Sequence, residues 1–393
     1  MKNVYLDVSG WLHSLYKHLI LHPPPGYQFT TEKLSWDRAT SRAFNIAPVF
    51  FFEQKILGKI MPVKLIKNYL ERWKKIPQGT DLTYSAGHLV FRKEPWVVDF
   101  EFVSQLTSYS LWYFRRFRKL IERSLSSEYC KRIICWTEAS KKTVLWNMDC
   151  TGFEHKVEVV PLAVPPKEFK KSYSRDKVRL LFVTSANILG QFELYGGKEV
   201  VEAFLILKEK YDNLELVLRS DMPRGLKRRY SQIPNLRIID KIIPWESLEQ
   251  EFMSSDIFVF PAHSSSALVT LDAMSYELPV VTTDVWSNPE MVEDSITGFV
   301  VPKAEKVPYY TGNFILNCRL PQYLSRHDVD AKVVQELARK TSILIEDEEL
   351  RRRMGAAGRW QIEHGKFSLE KRNERLKRIF DEATEDKEYA PSH

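Results

Sequence analysis

No apolar run in this chain of 393 residues approaches the roughly 20 needed to cross a bilayer as a helix, which excludes a spanning segment. Met1–Leu6 has no extended apolar core followed by small residues, so it reads as a first strand rather than an export signal. Cysteine is scarce. Cys130, Cys135, Cys150 and Cys318 make neither a Cys-x-x-Cys pair nor a zinc-ligand spacing, and reduced thiols in a cytoplasmic protein are the expectation. Internal repeats and low-complexity tracts are absent too, which removes solenoids and repetitive linkers. What remains is an ordinary globular composition, 44% apolar and 28% charged, in a chain long enough for two domains. Basic residues outnumber acidic ones by 58 to 51, for a net charge of +7 and a pI near 9.0. That balance favours an acidic partner, whether a nucleotide, an anionic leaflet or nucleic acid, without choosing among them.

The first half mixes expected strands at Val4–Val8, Val97–Phe102 and Ile133–Trp136 with a long basic helix from Ser110 to Ser126. Pro161, Pro165 and Pro166, followed by a lysine-rich stretch, read as a linker. From Val178 onward, strands and helices alternate, which predicts right-handed crossovers and a doubly wound parallel sheet. The chain closes with a charged helix from Leu369 to Thr384.

The run Phe258 to Pro302 is the richest. An apolar strand, Ile257 to Phe260, leads through a polar loop into a helix from Ala267 to Tyr276 and then into a second apolar strand. Ser264, Ser265 and Ser266 stand at the helix entry, where unpaired backbone N–H groups favour a phosphate. Asp272 follows about one and a half turns along, placed to accept a pair of sugar hydroxyls. Phosphate and hydroxyls together suggest a nucleotide sugar.

Leu271-Asp272-Ala273-Met274, Leu278-Pro279-Val280-Val281, Asp284, Pro289-Glu290 and Thr297-Gly298-Phe299-Val300-Val301-Pro302 resemble the donor-binding segment of the retaining GT-B glycosyltransferases (glycosyl transferases group 1, family 4-like). Asp272 stands for that pattern's second glutamate, and Ser264, eight positions earlier, for its first. Ser265-Ser266-Ala267 replace its glycine turn. Ile133 to Lys142 and Val157 to Val164 also resemble the family's strand-and-helix entry and its approach to the hinge. The resemblance implies an α/β GT-B fold of two doubly wound Rossmann-like domains facing across a cleft: residues 1–168 on the acceptor side, 169–365 on the nucleotide-sugar side, and 366–393 a helix returning to the first domain.

It also implies site residues. In the loop after Val178–Val183, Ser185 takes the family's arginine position and Tyr195 its lysine position, while Asn187 and Lys198 lie nearby. Lys198 is either a phosphate contact or a solvated lysine on a helix start. Gly196-Gly197 suit a tight turn and a close approach. The donor-side set is Ser185, Asn187, Lys198, Arg219, Lys241, Ile242, Ser264, Ser265, Ser266, Ala267, Leu268, Val269 and Asp272. On the acceptor side Glu101 falls at the family's histidine position with Asp99 before it, and these are the expected catalytic carboxylates. His88 reads as a loop histidine. Asp328-Val329-Asp330 reads as a helix cap, so neither metal nor cofactor is expected.

The expected activity is transfer of a hexose-type sugar, with retention and without a metal, from a nucleoside-diphosphate sugar to a lipid-carrier or glycan acceptor. The alternative is a catalytically impaired module of the same fold acting in binding or scaffolding. Residues 111–121 interleave aromatic and basic side chains, as an interfacial helix at an anionic membrane would; the other reading buries their aromatic stripe in the core. Peripheral attachment to the inner membrane face is therefore possible for an otherwise cytoplasmic protein, and no nucleic acid partner is expected.

Overall fold

The computed structural model describes residues 1–8, 13–32, 61–171, 177–186, 188–265, 267–307 and 320–385. The chain divides into two compact units, one containing Met1–Ala163 and the segment from Leu369, the other containing Val164–Gly312 and Arg319–Ser368.

The first unit is built on a parallel sheet of six strands in the order β2-β1-β3-β4-β5-β6. These are β1 (Lys2–Asp7), β2 (Tyr27–Thr30), β3 (Leu82–Ala86), β4 (Trp96–Phe100), β5 (Cys130–Cys135) and β6 (Val157–Val159). All five residues of both β3 and β4 are buried, as expected where helices cover both faces of a parallel sheet. Between the strands lie α1 (Ser14–Leu21), α2 (Val63–Leu70), α3 (Leu111–Ser126) and α4 (Glu138–Leu145). α3 begins where the spacing predicts, because the Ser110 hydroxyl accepts the Tyr113 N–H, and it is interrupted at Phe117 (φ −109°, ψ 15°). The strand expected over Val97–Phe102 ends at Phe100, where the chain bends into the 3-10 turn Val103–Thr107.

The second sheet, also wholly parallel, has the order β12-β11-β10-β7-β8-β9. Its strands are β7 (Val178–Val183), β8 (Leu214–Arg219), β9 (Leu236–Ile239), β10 (Ile257–Phe260), β11 (Val280–Thr283) and β12 (Gly298–Val301). The helices used below are α5 (Gly197–Lys208), α6 (Arg224–Tyr230), α7 (Trp245–Met253), α8 (Ala267–Ser275), α9 (Leu320–Arg326), α10 (Ala331–Glu346), α11 (Glu348–Glu363) and α12 (Leu369–Glu385). Asp330 caps α10 by accepting the Lys332 N–H at 3.0 Å, the role its sequence position suggests.

α12 belongs to the first unit. Leu376, Ile379, Phe380 and Ala383 recur at helical spacing and are buried. Phe380 packs its ring edge-on to Tyr27 and Tyr84. Tyr27 donates to Asp381 at 2.7 Å, and the buried Arg372 donates to the His22 carbonyl at 2.6 Å.

Candidate functional site

In the second sheet β10 pairs with β7, and the order runs outward from that pair in opposite directions. This is the nucleotide-binding strand order, and its crevice lies where the connections diverge, beyond the carboxyl ends of β7 and β10. Because all strands are parallel, the segments after β7, β8, β9 and β10 open on the same edge. Ser185, Arg219, Lys241, Ile242 and Ser264–Ser265 are therefore brought to one side of the sheet by topology alone.

The loop after β10 is held from behind by a polar cage. Thr282 donates to the Phe260 carbonyl at 2.8 Å, while Thr283 and Asn288 both donate to the carbonyl of Ala262. The His263 N–H reaches the Leu194 carbonyl at 2.9 Å, and its ring nitrogen Nε2 lies 2.7 Å from the Glu199 carboxylate on α5. Both His263 and Glu199 are buried. Ser264 and Ser265 are also buried, and the Ser265 hydroxyl pairs with that of Ser287. Gly196 closes the cage. With φ +80°, it brings the entry of α5 against Pro261 so tightly that an added Cβ would lie 2.7 Å from the proline Cγ. Gly197 is pressed equally hard against the Phe192 ring. The two glycines thus serve the close approach expected of them.

The charged candidates are arranged differently. The Lys198 ammonium is not brought to the crevice: it donates to the carbonyls of Leu324 (2.7 Å) and His327 (2.8 Å) at the end of α9. Arg219 donates to the Thr184 carbonyl and so braces the end of β7. The Ser185 N–H is accepted by the Gln191 side chain at 3.2 Å. Tyr195 stacks on Phe260, with ring centroids 5.2 Å apart. Lys241 and Ile242 are exposed beyond the edge strand β9. Leu268 and Val269 are half-buried in the first turn of α8, which begins at Ala267. Asn187 and Ser266 lie outside the described residues. Asp272 keeps one side open while protein crowds the rest, and that burial raises its carboxyl to about 7; Lys167 opposes the rise and Glu249 adds to it.

In the first unit Asp99 ends up beneath three aromatic donors. Its carboxylate accepts the Tyr16 hydroxyl at 2.9 Å and the Trp136 Nε1–H at 2.9 Å, with the Tyr84 hydroxyl as a third donor. Burial lifts its carboxyl to about 6, and the three hydrogen bonds limit the rise. Glu101 follows the bend and is half-buried, with its N–H held by Gln105 at 3.2 Å. His88 stands in the turn after β3, as expected of a loop histidine, but is buried there, at 1% exposure.

Sequence reasoning had no signal for Tyr16, Tyr84 and Trp136, which come from three separate elements. The His263–Glu199 pair could have been suspected, since both residues flank segments already singled out.

Residues 180–309 match the family model described as Glycosyl transferases group 1, a stretch that takes in both loops of the crevice and the whole cage. CapM, a capsular polysaccharide biosynthesis glycosyltransferase of Staphylococcus aureus, is 27% identical over 180 residues, covering 44% of this chain and 39% of CapM. The match thus spans well under half of that relative. Sucrose-phosphate synthase from Thermosynechococcus elongatus superposes with a TM-score of 0.60 at 13% identity, over 98% of this chain and 100% of the other. HepE of Anabaena, solved with UDP and glucose, superposes with a TM-score of 0.61 at 14% identity, over 97% and 99%. With its two doubly wound units the chain has the GT-B fold, and residues 180–309 in its second unit are similar to the Glycosyl transferases group 1 family.

Proposed function

We propose that this protein is a retaining, metal-independent glycosyltransferase that moves a hexose-type sugar from a nucleoside-diphosphate sugar to a glycan or lipid-carried acceptor. One observation carries the reading. The two loops with donor-site character leave neighbouring strands at the switch point of a sheet in nucleotide-binding order. The diphosphate sits at the entry of α8 on backbone N–H groups and serine hydroxyls, and the helix dipole stabilises the charge that develops on the leaving group. Asp272 takes the ribose hydroxyls, and the backbone near Lys241 and Ile242 lies against the base. Arg219 supplies positive charge at the end of β8. On the first unit Glu101 orients the acceptor, with Asp99 setting the strand end from which it projects. The UDP and glucose bound to HepE support this donor class.

Two facts favour the alternative of a binding or scaffolding role: Lys198 is spent on α9, and an aromatic ring, stacked on Phe260, stands where the resemblance expects a lysine. Calorimetric titration with UDP- and GDP-sugars, paired with a turnover assay on saccharide acceptors, separates the readings. Donor binding with turnover supports the transferase and donor binding without turnover the scaffold. No binding at millimolar donor sinks the nucleotide-sugar site.

A further inference from the structure

The first sheet has a switch point of its own, and the side chains gathered there take no part in the reaction proposed above. β1 lies between β2 and β3, so the connections leaving β1 and β3 diverge at its carboxyl edge. Asp7 is the last residue of β1, and His88 stands in the turn just after β3.

That turn is rigidly built. Gly87 has φ +70° and is pressed against the Gln105 side chain. The Ser85 hydroxyl donates to the His88 carbonyl at 2.6 Å. Lys64 ties the turn down, donating to the carbonyls of Gly87 (2.7 Å) and Gln105 (2.6 Å).

The imidazole itself is nearly sealed from solvent, at 1% exposure. Its Nδ1 lies 3.3 Å from the Ala86 carbonyl, so Nδ1 carries the hydrogen. Nε2 then faces Asp7 Oδ1 as a lone pair across 3.5 Å, and the two attract only when a proton or another cation lies between them. Two acceptors facing each other in a buried place repel unless a positive charge lies between them. Glu71, half-buried on the 3-10 turn Glu71–Trp73 after α2, brings a carboxylate oxygen near the pair, and the three ligand atoms all lie within 4.8 Å of one another.

Zinc bonds of about 2.0–2.1 Å in a tetrahedral site place ligand atoms about 3.3 Å apart, close to the His88–Asp7 spacing. The second oxygen of Asp7 is held by Arg92 at 2.9 Å, and Arg92 in turn is held by Glu94.

We propose that Asp7, Glu71 and His88 form a zinc site that staples the ends of β1 and β3 to the turn after α2. A water completes the coordination. The site is confined to the first unit and stands or falls separately from the nucleotide-sugar reading.

The test uses the full chain, stripped with a chelator and titrated with Zn²⁺ by calorimetry and with Co²⁺ by visible absorption. One ion per chain and the absorption of tetrahedral cobalt are expected. Glu71→Gln and His88→Gln should each weaken binding by about tenfold or more. Glu71→Gln changes a half-buried position on a short turn and keeps the test valid if the His88 variant fails to fold. The proposal is overturned if the folded wild type binds no stoichiometric Zn²⁺ or Co²⁺, or if Glu71→Gln binds as tightly as wild type. It is equally overturned if NMR shows His88 as an imidazolium whose resonances ignore added Zn²⁺, for then a proton occupies the place.

Discussion

Gly196→Ala puts the cage behind the β10 loop to its sharpest trial. Gly196 sits at φ +80°, and holding an L-residue there costs about 1–2 kcal/mol. The new methyl would lie 2.7 Å from Cγ of Pro261 and nearer still to its carbonyl oxygen, inside the 3.0 Å that real Cβ atoms essentially never breach. Relieving such an overlap by backbone movement costs about another 1–3 kcal/mol. The second unit should therefore lose roughly 2–5 kcal/mol in urea unfolding. Because Pro261 opens the loop that carries Ser264 and Ser265, UDP affinity should also fall, by tenfold or more for each ~1.4 kcal/mol of loop distortion. Gly225→Ala is the control. Gly225 lies in α6 with nothing within 4 Å of an added Cβ, so alanine there should stabilise by about 0.5–1 kcal/mol. If Gly196→Ala unfolds within about 0.5 kcal/mol of wild type, the contact between Gly196 and Pro261 does not hold the cage. A large stability loss with unchanged UDP affinity would show that the cage and the nucleotide are uncoupled.

Three further outcomes are expected. If Asp272 binds ribose as a carboxylate, UDP affinity should rise with pH through about 7, where its carboxyl titrates, and Asp272→Asn should flatten that dependence; a wild-type affinity independent of pH between acid and alkaline buffers refutes the assignment. For Asp99 the folded value of about 6 exceeds the ordinary 3.8, so its contribution to stability is complete below the unfolded value and is lost as pH rises through about 6. That loss totals roughly 3 kcal/mol, and it should be missing from the unfolding of Asp99→Asn measured across the same range. On α3, Trp112 is 66% exposed and stands on the same helix as Arg115, Arg116, Arg118 and Lys119, whereas Phe114 and Ile121 are buried. Trp112→Ser combined with Arg115→Ser and Arg116→Ser should abolish sedimentation with anionic vesicles while leaving thermal stability unchanged; equal sedimentation of variant and wild type would remove the membrane contact.

The aromatic stripe of α3 is divided between core and surface. Helical spacing announced an amphipathic element. Packing then drew Tyr113, Phe114 and Ile121 inward and left Trp112 and Leu120 outside with the basic residues. Nothing in the local pattern says which side of such a helix faces the sheet. The described residues contain no helix long and apolar enough to cross a membrane.

Strand β3 illustrates the opposite case. Leu82-Thr83-Tyr84-Ser85-Ala86 carries too many hydroxyls to announce a buried strand, yet every residue of it is buried. The hydroxyls are satisfied by partners outside the strand: Thr83 reaches Glu94, Ser85 reaches the His88 carbonyl, and Tyr84 reaches Asp99. A sequence read by apolar periodicity sees the polar groups and not the acceptors that satisfy them. The same blindness hid the first unit's switch point, because both β2 and β3 have to be placed before Asp7 and His88 become neighbours.

Chain order and composition were enough for the second sheet. Its strands are short apolar runs separated by amphipathic helices, and hydrophobic burial leaves such alternation few topologies other than a doubly wound one. Side-chain direction was beyond their reach. Lys198 turned to the carbonyls ending α9, His263 turned inward to Glu199, and Asp99 was closed beneath Tyr16, Tyr84 and Trp136. Each of those choices rests on a partner remote in sequence, and a hydrogen bond or ion pair is worth making only where three-dimensional packing has already excluded water.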